Sequence, residues 1–335
     1  CCVAFFSPLH AQYDDLLRKG RYPWVAEYTT DYELNPIYSE KVNTEMNLVH
    51  TIRLESANQK HGLFQELELK HYLSHTLLQG LASGAFACFA DEQLSQPLSR
   101  EKVLNLLSWP ETIINFDHFD TVTVLREILP SEIDLFRIRQ VFFFDSRKKQ
   151  FGSRLLALAP MVDKTDAEGN FTRRLPLLWI KIHPDNHRET QKIAKNATYA
   201  AQTFMGGNAP QVEDMKTVNG SLDLKKWASA EVRKPTHQVL ASDDFSSLNV
   251  DALEGKVFTT DTLIVYDPET YEESAAIVRN NAIDRVEKIR FVQNWYYDER
   301  RHRLAVQVVA AAPIAAVRDS EGEIRYYKPL FYSKY

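Results

Sequence analysis

Arg137-Ile138-Arg139-Gln140-Val141-Phe142-Phe143-Phe144-Asp145 returns 153 residues later as Arg290-Phe291-Val292-Gln293-Asn294-Trp295-Tyr296-Tyr297-Asp298. Sliding 137–177 onto 290–330 without a gap makes 12 of 41 positions identical. Ordinary composition would give roughly two or three. The identities include Asp145/Asp298, Pro160/Pro313, Gly169/Gly322 and Pro176/Pro329. Upstream, Glu111-Thr112-Ile113-Ile114-Asn115-Phe116-Asp117 matches Asp261-Thr262-Leu263-Ile264-Val265-Tyr266-Asp267 once a three-residue gap is allowed. Two copies of one unit are therefore expected, over 106–182 and 256–335.

Each copy spells an antiparallel unit. An apolar run opens it, at 112–116 or 262–266. A second run ends in three aromatics and an Asp, which starts a charged turn. A third run stops at a Pro, which has no N–H for a ladder. Asp-x-Glu-Gly then makes a turn where Gly takes positive φ. The last run is Leu175 to Ile182, or Ile324 to Tyr332. Enrichment in β-branched and aromatic residues between turn residues favours strands. Helices are expected at 63–83, with Leu63, Leu67, Leu73, Leu77 and Leu81 in one stripe and Gly84 as stop, and at 188–205, with Ile193, Ala197, Ala200, Ala201 and Phe204 on one side. Residues 206–222 read as a linker. The fold class is α+β: two copies of a mainly antiparallel sheet unit with a few packing helices. An N-terminal helical or irregular region (12–105) precedes the first copy, and a helix and linker (183–255) join it to the second.

Composition narrows the function. The chain has 335 residues, with 40 Lys and Arg against 45 Asp and Glu, a net charge of −5. Such a balance argues against general nucleic-acid binding, which needs a basic surface to displace counterions. No run of 18 or more apolar residues occurs. The opening Cys1-Cys2-Val3-Ala4-Phe5-Phe6 to Ala11 reads as the end of a signal peptide, with cleavage after Ala11 and a start at Gln12. Beyond residue 11, Cys88 stands alone in an apolar run and reads as a core residue.

Chemical motifs are sparse. The sequence lacks Gly-x-Gly-x-x-Gly, a Walker loop, Gly-x-Ser-x-Gly and His-Glu-x-x-His. His71 and His75 have the spacing of metal ligands, but no third ligand lies near them in sequence, and a solvated helix face is the better reading. His183 and His187 flank a turn. Asp145 and Asp298 suit turns in which the carboxylate accepts backbone amides two residues on. No catalytic, cofactor or metal site is expected. Aromatics concentrate in the second copy. Consecutive strand residues face opposite sides, so Trp295, Tyr296, Tyr327 and Phe331 are candidate anchors of a protein interface.

The second copy resembles the gliding-motility protein N family (GldN/PorN) of the type IX secretion system. The resemblance runs through Asp261-Thr262-Leu263, Asp267-Pro268-Glu269-Thr270, Val278-Arg279-Asn280, Trp295-Tyr296-Tyr297-Asp298, Ala312-Pro313-Ile314, Asp319 to Gly322 and Lys328-Pro329-Leu330-Phe331-Tyr332. The first copy is fainter, with Phe142 in place of the Trp. Ile52-Arg53-Leu54, with Asn58 and Leu63-Phe64, is similar to an upstream family segment, from which Arg53 and Ser56 depart. The resemblance implies a periplasmic, non-enzymatic component associated with the outer membrane. It implies assembly with an outer-membrane lipoprotein of the GldK/PorK type into an oligomeric ring coupled to the periplasmic part of an inner-membrane motor. Two fused copies would make this a divergent, duplicated member. The rival readings are an exported glycan- or protein-binding module using the aromatic strands, and a hydrolase working through Asp145 or Asp298.

Overall fold

The structure is a computed structural model. It describes residues 14–17, 20–32, 52–53, 72–115, 120–133, 135–165, 170–182, 187–196, 199–204, 215–234, 239–240, 250–266, 269, 273–319 and 321–335. The proposed signal peptide (1–11), Leu63, Leu67, His71, Glu168, Gly169, His183 and Ala197 lie outside these residues.

In the first half the elements are α1 (Asp14–Leu17), β1 (Trp24–Tyr32), β2 (Ile52–Arg53), α2 (Tyr72–Ser83), β3 (Cys88–Phe89), α3 (Arg100–Leu107), β4 (Ser108–Asn115) and β5 (Asp120–Glu127). A 3-10 turn (Pro130–Glu132) leads into β6 (Phe136–Asp145), β7 (Gln150–Thr165), β8 (Phe171–Pro176) and β9 (Trp179–Lys181). The second half follows the same order. It comprises α4 (His187–Asn196), β10 (Tyr199–Phe204), β11 (Lys216–Gly220), α5 (Leu224–Val232), β12 (Val239–Leu240), α6 (Val250–Val257), β13 (Phe258–Tyr266) and β14 (Glu273–Asn281). A 3-10 turn (Ala282–Arg285) precedes β15 (Val286–Asp298), β16 (Arg303–Arg318), β17 (Ile324–Pro329) and β18 (Tyr332–Lys334).

Local chemistry sets the helix ends. Ser99 caps α3 by accepting from Lys102 N at 3.3 Å, and Asp223 caps α5 by accepting from Lys226 N at 2.9 Å. Leu73, Leu77 and Leu81 of α2 are buried along one stripe, and Gly84 follows at φ +77°.

Strand registers recur at the 153-residue offset. Phe142 faces Ser153 as Trp295 faces Val306, and Met161 faces Pro176 as Ile314 faces Pro329. Even the bulges coincide, between Arg139 and Gln140 in one sheet and between Val292 and Gln293 in the other. A bulge is a built feature that bends and twists a strand pair, so its reappearance at one register position gives both sheets the same twist.

Two seven-stranded sheets result. The first runs β11-β1-β6-β7-β9-β3 with β8 on β7; the second runs β12-β18-β16-β15-β10-β2 with β17 on β16. The edges are exchanged. β2, from the first half, pairs with β10 of the second sheet, while β11, from the second half, pairs with β1 of the first. Gly220 permits one of these contacts: at φ +68°, a Cβ there would stand 1.7 Å from the carbonyl oxygen of Pro23. One hydrophobic core draws on both sheets, with Trp24, Phe142 and Phe151 from one and Phe291, Trp295 and Leu304 from the other. The Phe142 and Phe291 rings stack at 4.7 Å and 13°.

Three sequence expectations need correction. The helix expected over 188–205 ends as α4 at Asn196, and Tyr199–Phe204 form a strand on β15. Ala is the best helix former, but intrinsic propensity is a small term per residue, and pairing with β15 overrides it here. The linker at 206–222 contains β11. The third run of each copy does not stop at its Pro: β7 and β16 pass through Pro160 and Pro313. The missing N–H is tolerated because each Pro lies where pairing to β8 or β17 takes over, and its carbonyl still accepts, from Leu177 N at 2.8 Å and from Leu330 N at 3.0 Å.

Candidate interaction surface

Four two-stranded ribbons extend from the sandwich. β4–β5 and β13–β14 are hairpins that pair, among the described residues, with no other strand. β7–β8 and β16–β17 continue beyond Pro160 and Pro313. The large apolar side chains that are exposed among the described residues sit on these ribbons or directly beside them. They are Leu104, Trp109, Val124, Leu125, Leu129, Phe171, Phe258, Ile324 and Tyr326. Monomeric proteins scatter such residues singly; here seven of the nine lie on the projections, with Leu104 in α3 and Leu129 just after β5.

The β4–β5 arm shows the chemistry most fully. Trp109 lies opposite Arg126 and Glu111 opposite Val124, so alternation puts these four on one face. Pro110 lies opposite Leu125, on the other face. Leu125 is 66% exposed, and Trp109 and Val124 on the first face are also exposed. The Arg126 guanidinium stands 5.7 Å from the Trp109 ring centre and forms ion pairs with Glu111 at 3.4 Å and Glu132 at 3.1 Å. These contacts pin the base of the arm and leave its apolar groups to solvent. Sequence reading missed Trp109, Leu125 and Phe171; the signal was an apolar pattern on both faces of a strand pair instead of strict alternation.

The sequence-selected aromatics divide. Trp295 and Phe331 are buried in the core, so they are not interface anchors. Trp295 takes the position of Phe142, on the face that meets the other sheet. Tyr296 and Tyr327 are half-buried. The Tyr296 hydroxyl accepts from Asn294 at 3.1 Å, Tyr327 donates to Glu287 at 3.2 Å, and the Lys288 ammonium lies 4.0 Å from the Tyr327 ring centre. A glycan platform of adjacent exposed aromatics is not formed by these residues.

Asp145 and Asp298 are spent on turns. Asp145 accepts from Arg147 N at 3.0 Å and Lys148 N at 3.2 Å and pairs with Arg21; Asp298 accepts from Arg301 N at 3.3 Å and from the Arg301 guanidinium at 3.2 Å. Burial would raise the Asp145 carboxyl, but the Arg21 guanidinium and the two amides hold it below the usual carboxylate range. Gly322 adopts φ +86° in its turn. His75 is exposed on α2 beside Gln79, at 2.9 Å. Cys88 is buried, and desolvation pushes its thiol up to about 11.

A cavity of about 210 Å³ opens on the first sheet near Glu27, Glu92, Arg139 and Lys216. Arg139 pairs with Glu27 at 2.7 Å and donates to the Glu92 carbonyl at 2.9 Å, and Thr29 donates to the Glu92 carboxylate at 2.8 Å. The positions equivalent to Glu27 and Arg139 in the second sheet are Gln202 and Val292, so the ion pair belongs to one half only. Among the described residues, no three His, Cys, Asp or Glu side chains converge as a metal site, and no helix is long and apolar enough to cross a membrane.

A family model described as gliding motility associated protein GldN matches residues 37–205 and 228–335. The chain belongs to the GldN family. The matched segments hold β6 to β9 and β15 to β18, the strands that carry the 153-residue relationship. Membership makes the chain a component of the gliding-motility and type IX secretion apparatus. No curated protein matches it. In this GldN-family chain the conspicuous feature is a double sheet from which ribbons carrying exposed apolar side chains extend.

Proposed function

We propose that this GldN-family protein is a periplasmic structural component of the type IX secretion and gliding apparatus, exported by a signal peptide and held at the outer membrane by protein contacts. Its partner is an outer-membrane lipoprotein of the GldK/PorK type, with which it builds an oligomeric ring that meets the periplasmic part of an inner-membrane motor protein. The chain works as a scaffold and not as an enzyme. Its halves are copies of one duplicated unit.

The observation that carries this reading is the family match over most of the chain, joined to the concentration of exposed apolar side chains, among the described residues, on or beside the four ribbons. An aromatic or aliphatic anchor that leaves water on docking supplies much of the energy of an interface, and a two-layer core keeps such anchors in fixed positions. Deleting the gene from its source bacterium tests the proposal. Loss of secretion and gliding, restored by the full chain, is expected; unchanged secretion and gliding overturns it.

A further inference from the structure

The β4–β5 arm carries exposed apolar groups on both faces. Among the described residues its strands pair only with each other, so each has an outer edge unoccupied by another strand. A two-stranded ribbon is marginal by itself, and an unpaired edge invites a further strand. Its net charge is negative. Residues 108–127 hold four Asp or Glu against Arg126 alone. The equivalent hairpin, 258–281, holds five against Arg279. Together they carry −7, so the rest of the chain, whose total is −5, carries +2.

The complementary surface is present on the same molecule. Among the described residues, β8 pairs only with β7 and β17 only with β16, so each also has an edge that no described strand occupies. Neither contains an acidic residue; β8 has Arg173 and Arg174, and β17 has Arg325 and Lys328. Arg174 is engaged by Asp163 at 3.0 Å and Arg325 lies 3.9 Å from Asp319 while its side chain stays exposed; Arg173 and Lys328 are exposed as well. Exposed Phe171 and Tyr326 lie on the same strands.

We infer that the acidic β4–β5 arm of one molecule docks on the basic outer edge of β8 or its equivalent β17 in a second copy of this chain, adding strand to strand. Main-chain hydrogen bonds supply the adhesion, opposite charges set the direction, and Trp109 and Leu125 are covered by Phe171 or Tyr326. Donor and acceptor are different surfaces, so the contact is head-to-tail. Such contacts close into rings or run into filaments. The inference deepens the scaffold reading and rests on it.

Sedimentation velocity of the full chain over a range of concentrations and salt tests the contact. Self-association that weakens with salt is expected. Arg173→Glu with Arg325→Glu in one protein, and Glu111→Lys with Glu127→Lys in another, should each weaken it about tenfold. Mixing the two variants should restore association, because the reversed charges then match. Circular dichroism checks that both fold. A wild-type chain that stays monomeric at every concentration overturns the inference, as does association untouched by either reversal or not restored by mixing. Capture of the lipoprotein separates the two readings: if it persists while the chain fails to associate with itself, only the self-docking contact is lost.

Discussion

Gln140 and Gln293, 153 residues apart, hydrogen-bond to each other inside the core. Gln293 Nε2 donates to Gln140 Oε1 at 2.8 Å, and Gln140 Nε2 returns the bond at 3.5 Å. Both are buried, both follow the bulge of their strand, and Gln293 also donates to Ser153 at 3.0 Å. An equivalent pair that meets itself in this way lies on the axis relating the two halves.

Replacing either member strands a buried amide. Gln140→Leu or Gln293→Leu should each cost about 1–3 kcal/mol, the penalty for an unsatisfied buried polar group. The double replacement should cost less than the two singles together, since it removes both amides. Urea melts of the four proteins measure the cycle. Additive losses would show that the pair is not coupled.

The exchanged strands β2 and β11 tie each sheet to the opposite half, and the core is shared. The halves should therefore unfold together. Calorimetry should give one transition with equal calorimetric and van't Hoff enthalpies. Two resolved transitions would show that the halves are separate domains.

Much of this fold was legible because the repeated identities are backbone devices. Asp145 and Asp298 close turns, Pro160 and Pro313 mark the switch of partner strand, and Gly322 supplies a positive φ. Such positions tolerate few residues, so they stay readable. The strand Tyr199–Phe204 was not legible, since its Ala residues favour a helix and only the ladder with β15 overrides that preference. Nor was the exchange of β2 and β11: strands of two and five residues owe their existence to the ladder they join. The aromatics misled for a related reason. Strand alternation says that neighbours point to opposite sides, but in a double sheet Trp295 faces the other sheet and not solvent. The arm residues were missed because exposure is a property of the whole fold.

Asp145 sets an acid limit. Its carboxyl sits below the usual carboxylate range in the folded chain, because Arg21 and two backbone amides outweigh the effect of burial. A depressed pKa contributes stability above the unfolded value, about 3.9, and that contribution is lost as pH falls through the folded value. Asp145→Asn should cost about 2 kcal/mol at neutral pH, the scale of hydrogen bonds to a charged group. The gap between the proteins should shrink below about pH 4. A gap that widens in acid would contradict this assignment.

Cys88 should be inert in the folded chain. Its thiol, raised to about 11 by burial, is almost wholly protonated near pH 8. Reaction with a disulfide reagent should be roughly a hundredfold or more slower than in denaturant, where the ordinary value of about 8.5 returns. Equal rates would place Cys88 at the surface.

The scaffold reading is tested most directly by isolating the full chain, tagged, from membranes of its source bacterium and identifying what accompanies it. The expected result is a large assembly in which an outer-membrane lipoprotein is present in constant ratio to the chain. Substituting Trp109→Ser with Leu125→Ser should reduce the size of that assembly while leaving the fold intact. Recovery of the wild-type chain from the soluble periplasm as a monomer, without the lipoprotein, would contradict the account.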